Sequence, residues 1–125
     1  MRLYLSKHQD RHQSLIKTLD AYGISYELVD FDQLKKEDLL EWMRLSPDCF
    51  DFLTSTCLIY KRRDNLPFSR FVDIIWDNRA RSLRLPLIVD KGHVYPDVTL
   101  EDLRSFLPRE RKEKERRALK TFLSV

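Results

Sequence analysis

Sulfur is scarce in this chain. Its two cysteines, Cys49 and Cys57, form no Cys-x-x-Cys pair, which excludes a disulfide framework and a cysteine-based zinc site. In a reducing cytosol both are expected as free thiols. Long apolar runs are absent too: nothing approaches the roughly 18 consecutive apolar residues of a membrane span, so no membrane partner is expected. The opening residues lack the basic-then-apolar pattern of an export signal, and a cytoplasmic location is the expectation. No internal repeat, low-complexity tract or linker marks a boundary, so the 125 residues are read as one domain, 1–125, of a length that supports one core of ordinary size.

What the chain has in quantity is charge. Asp, Glu, Lys and Arg make up 34%, against about 25% in ordinary soluble proteins, yet the formal net charge is only +3. Much of that excess sits between Arg109 and Lys120, where seven Lys or Arg face three Glu. Glu110 with Lys114 and Glu113 with Arg117 stand in the favourable i, i+4 order, which predicts a solvated charged helix at about 109–123.

Hydrophobic spacing orders the rest. Arg2 to Leu5 alternates around Leu3 and Leu5 as a short strand; Leu15, Ile16, Leu19 and Tyr22 follow helical spacing, with Gly23 suited to the cap. Ile24 to Val29 reads as a second strand, which makes a strand-helix-strand crossover. Lys35 to Leu45 predicts a helix with Leu39, Trp42 and Met43 on one side, and Pro47 ends it. Asp48 to Tyr60 reads as a short helix and a loop. Pro67 is placed at a first helical position, with Phe68, Phe71, Val72 and Ile75 on the buried face. Arg79 to Arg84 is a basic link. Two strands around Lys91-Gly92 then form a hairpin, and Thr99 with Asp102 approximates a capping box for a last helix whose core side is Leu103 and Phe106.

Several short segments, in this order, resemble the Spx and arsenate-reductase-like family. Leu3-Tyr4-Leu5-Ser6 is similar to its first strand, Ser55-Thr56 lies where the family has Ser-Thr-Arg, Leu85-Pro86-Leu-Ile-Val-Asp90 resembles its proline-led strand, and Phe106-Leu107-Pro108-Arg109 matches the Phe-Leu-Pro-Arg of Spx proteins. The resemblance implies an α/β, thioredoxin-like fold with a mixed four-stranded sheet. A helical insertion would separate the N-terminal strand-helix-strand from the C-terminal β-hairpin and helix. It also implies that Pro86 follows a cis peptide bond, which is nearly confined to X-Pro sequences.

Reductases of this family need a thiolate at the end of the first strand, since only deprotonated sulfur attacks, and cations to hold the anion. Here the Cys-x-x-Cys positions that the resemblance implies fall on Gln9 and His12. The arginine of Ser-Thr-Arg is Cys57, and the second arginine of Arg-Arg-Pro is Leu85, leaving Arg84 one place earlier. The expectation is therefore a protein without catalytic residues, cofactor or small-molecule substrate. Spx proteins bind the C-terminal domain of the RNA polymerase α subunit, and the resemblance places that contact on Asp48, Cys49, Phe50 and Asp51, with Cys49 where Spx has glycine. Asp48 and Asp51 are read as exposed acids that meet a basic surface.

Other readings remain beside this one. Lys61, Arg62, Arg63 and Arg84 are candidate contacts to promoter DNA phosphates within a polymerase complex, although no helix-turn-helix or aromatic-interleaved signature accompanies them. His8, His12 and His93 could in principle gather a metal, but no carboxylate or cysteine pattern joins them and solvated histidines are the reading adopted. Cys49 and Cys57 could form a replacement redox pair only with Cα atoms within about 7 Å. A reductase using either cysteine, and an adaptor or antagonist of ordinary Spx proteins, are the alternative functions.

Overall fold

The computed structural model of the protein describes residues 1–8, 12–62 and 65–107; the expected helix at 109–123 lies outside them. Four short strands build one sheet: β1 (Arg2–Tyr4), β2 (Glu27–Val29), β3 (Leu87–Asp90) and β4 (His93–Tyr95). Their spatial order is β2-β1-β3-β4. β1 pairs parallel with β2 and antiparallel with β3, with Leu3 opposite both Leu28 and Ile88. The sheet is therefore mixed, as expected, and β1 is internal.

The crossover from β1 to β2 runs through α1 (Gln13–Ala21). Gly23, at φ +69°, ends it: the Gly23 N–H donates to Asp20 O at 3.1 Å and the Ile24 N–H to Leu19 O at 3.2 Å. Those two bonds satisfy terminal carbonyls in the manner of a Schellman cap. At the other end of the chain, Lys91 (φ +50°) and Gly92 (φ +77°) make the two-residue turn with both central residues left-handed. Its twist matches that of the strands it joins, and Asp90 pairs with His93 across it.

Alternation along the strands divides the core in two. Leu3, Leu5 and Ile88 pack with Leu15 and Leu19 of α1, and with Val98 and Leu103. Tyr4, Leu87 and Val89 face the opposite layer, built from α2 (Lys36–Leu45), α3 (Phe68–Asp77), the single helical turn α4 (Arg79–Ser82) and the insertion between α2 and α3. At the centre of that layer the fully buried Trp42 ring meets Tyr4 edge-on at 4.9 Å and Phe52 at 5.8 Å. Among the described residues no helix is long and apolar enough to cross a membrane.

Several local expectations need correction. The segment read as a short helix and a loop holds two 3-10 helices, Cys49–Phe52 and Ser55–Arg62, whose three-residue turn matches neither of the two periods sought. The basic link contains α4, and the second strand begins only at Glu27. Pro67 is the residue before α3, and Phe68 is 61% exposed instead of joining the core. The last helix is a 3-10 helix, Asp102–Phe106, although Asp102 does reach back to accept from the Thr99 N–H at 2.8 Å.

Two outcomes follow. Replacing Trp42 by Ala removes the ring that joins Tyr4 to Phe52 and should cost about 3–5 kcal/mol of stability in chemical denaturation. Trp42→Phe should cost less, because it keeps an aromatic ring between Tyr4 and Phe52. Burial, and then the Asp38 carboxylate, push the Tyr4 phenol up from 10.0 to about 12. Between those values the unfolded chain loses this proton while the folded chain keeps it. The contribution is thus intact below pH 10 and lost as pH rises to about 12. Ultraviolet titration of the five tyrosines should show a late phenol that Tyr4→Phe removes.

Candidate functional site

The sheet brings one polar cluster to the C-terminal end of β1. Ser6, Lys7 and His8 leave the strand there, and His12 stands immediately before α1; Gln9 lies outside the described residues. His12 is 6% exposed, which overturns the expectation of a solvated imidazole. Burial of a polar ring demands a hydrogen-bond partner, and Ser6 Oγ lies 2.6 Å from His12 Nε2. The same oxygen accepts from the His8 N–H at 3.3 Å. With Lys7, Phe31, Ala80, Leu83 and Leu85, these residues line a cavity of about 260 Å³. The Leu85–Pro86 peptide bond beside it is cis.

Of the positions where the resemblance implied redox or anion-binding groups, His12 and Leu85 meet at this cavity. Cys57 does not line it: the thiol is 2% exposed, with Sγ 4.0 Å from Ser82 O. Arg84 is also directed elsewhere. It donates to Asp51 O at 2.7 Å and pairs with Asp97 at 3.5 Å. The cavity wall therefore offers isobutyl and methyl groups at Leu83, Leu85 and Ala80. Ser6 is the member that the sequence reading left without a role, and no spacing signal points to it, since its partner lies across a loop.

A second cluster forms on the insertion. Asp48 accepts from the Phe50 N–H at 3.0 Å and pairs with Lys61 at 3.7 Å. It is thus a half-buried cap instead of the free acid expected, whereas Asp51 is exposed. The Lys61 amine also stands 5.5 Å from the centre of the Phe50 ring. Phe50, Tyr60, Lys61, Leu66, Phe68 and Phe71 enclose a groove of about 220 Å³. Cys49, half-buried beside Phe50, has its thiol pushed up by burial and then by the Asp48 carboxylate. Both cysteines are free thiols.

The remaining candidates are dispersed. Arg62 is exposed and forms no ion pair among the described residues; Arg63 lies outside those residues. His93 is on β4, beside the start of β1 through Asp90, which pairs with the Met1 amine at 3.7 Å. His8 and His12 are beyond the other end of β1. Among the described residues no three His, Cys, Asp or Glu side chains are grouped to hold a metal ion.

This placement predicts thiol behaviour. In native protein at pH 8, iodoacetamide should label Cys49 more slowly than a free cysteine, because only the thiolate reacts, and should leave Cys57 untouched until denaturant is added. Mass spectrometry of the labelled protein measures both; rapid native labelling of Cys57 would contradict its burial.

No protein-family model matches the sequence, and no curated protein matches it. Solved structures do. The solution structure of an arsenate reductase-related protein from Brucella melitensis superposes with a TM-score of 0.53 at 15% identity, over 84% of this chain and 92% of that one. The YFFB protein superposes at 0.59 and 15% identity, over 86% of this chain and 98% of that one. At such identities the likeness speaks for architecture alone: the chain carries the thioredoxin-like fold of arsenate reductase-related proteins.

Proposed function

We propose that the protein is a non-catalytic, Spx-like regulator that binds RNA polymerase in the cytoplasm through the C-terminal domain of the α subunit. The observation that carries this reading is the state of the cavity at the end of β1. Nucleophilic sulfur chemistry needs an accessible thiolate and neighbouring cations. At the described positions the cavity holds no cysteine: a Ser6–His12 hydrogen bond, Lys7, Leu83 and Leu85 line it. Neither cysteine suits the alternative of a reductase with a displaced nucleophile, since Cys57 is buried and burial raises the Cys49 thiol away from ionisation.

Binding is assigned to the 3-10 helix Cys49–Phe52 and its surroundings. There an exposed carboxylate at Asp51, a small side chain at Cys49 and the edge of Phe50 stand together on the surface. Lys61 and Arg62 flank it, where they can also approach DNA phosphates beside the polymerase domain. A calorimetric titration with the isolated α C-terminal domain tests the assignment. Wild type should bind and Cys49→Arg should weaken binding at least tenfold by placing a long cation in a close contact. Absence of binding by wild type, or arsenate turnover abolished by Cys57→Ser, would overturn the proposal.

A further inference from the structure

Exposed large apolar side chains are not scattered evenly over this molecule. Of the seven among the described residues, Leu58, Ile59 and Phe68 lie on Ser55–Arg62 and the first turn of α3, at 50%, 61% and 61% exposure. Phe68 also lines the groove with Phe50, Tyr60, Leu66 and Phe71. In a 3-10 helix, residues three apart eclipse, so Leu58 stands on the same face of Ser55–Arg62 as Lys61, which lines the groove. Contiguous apolar surface of this kind, bordered by polar residues, marks interaction sites.

The charge at its border selects the partner. Asp48, which pairs with Lys61 at 3.7 Å, is also occupied in capping Phe50. Lys61 nevertheless keeps 58% of its side chain exposed, and Arg62 follows it with no ion pair among the described residues. A carboxylate approaching here gains a cation without displacing a buried one, and Lys61 already lies against the Phe50 ring. An aromatic or large aliphatic anchor in a pocket with a charged rim is the usual form of an interface hot spot.

We propose that this groove receives one large apolar side chain from a partner segment that carries carboxylates on either side of it. On the polymerase reading above, that segment belongs to the α C-terminal domain, its carboxylates meeting Lys61 and Arg62 apart from the basic groups that meet Asp51, so the anchor deepens that reading and rests on it for the partner's identity.

Titrations of the full chain separate the two claims. Phe68→Ser and Lys61→Glu should each weaken binding of the α C-terminal domain at least tenfold. Leu100→Ser, at an exposed position on the α1 side of the sheet, should leave it unchanged. Phe68 is solvent-facing enough that its replacement keeps the fold, which circular dichroism checks. If the domain binds wild type and both groove variants equally, the groove proposal fails and the polymerase reading stands. If the domain does not bind at all, the polymerase reading fails and the groove is judged with a fluorescein-labelled peptide bearing one tryptophan between glutamates. Saturable anisotropy that Phe68→Ser abolishes upholds the groove; no saturable binding to wild type overturns it.

Discussion

Everything in this structure is arranged around a strand that is covered on every side. β1 has hydrogen-bonded neighbours along both edges, α1 over the Leu3 and Leu5 face and Trp42 against Tyr4 on the other. Only three residues long, it is flanked by polar groups at both ends. The Met1 amine meets Asp90 and Arg2 meets Glu41 at one end. Ser6, His8 and His12 gather at the other. At that second end a buried imidazole is tied to a hydroxyl.

The sheet was legible because its signals are local. Alternation around Leu3 and Leu5, the glycine after α1 and the Lys91-Gly92 turn each specify backbone over a few residues, and the observed caps and φ angles follow them. The insertion was not legible, because a 3-10 helix repeats every three residues and its buried members, Phe52 and Cys57, imitate neither a strand nor an α-helix. Phe68 misled for a related reason. It shares the spacing of Phe71, Val72 and Ile75, but it is the first residue of α3, and its ring lies over the groove where the facing wall is open to solvent.

His12 shows a different limit. Nothing in the five residues between Ser6 and His12 announces that a hydroxyl will satisfy a buried ring. The pairing exists because α1 starts beside the end of β1, with His12 immediately before its first turn. The same topology decides the fate of the residues that a reductase would need. Leu85 comes to the cavity while Cys57, in the insertion, turns into the core. The sequence showed which positions lack sulfur; the fold shows Leu85 lining a cavity that also holds Lys7 and His12, and Cys57 turned into the core.

Arg84 connects these two regions and gives the insertion its fixed position. Its backbone N–H donates to Phe52 O at 2.9 Å, Thr54 N–H donates to Ser82 O at 2.8 Å, and Leu53 forms an antiparallel bridge with Leu83. Together these bonds attach the insertion to the segment that enters β3, while the Arg84 guanidinium holds Asp51 O and Asp97. An arginine used in this way is part of the frame, and its cation is half spent before any phosphate arrives. What it supports is the surface around Phe50. Because that surface is attached through backbone bonds to the segment before β3, the position of Phe50 is fixed by the frame of the fold.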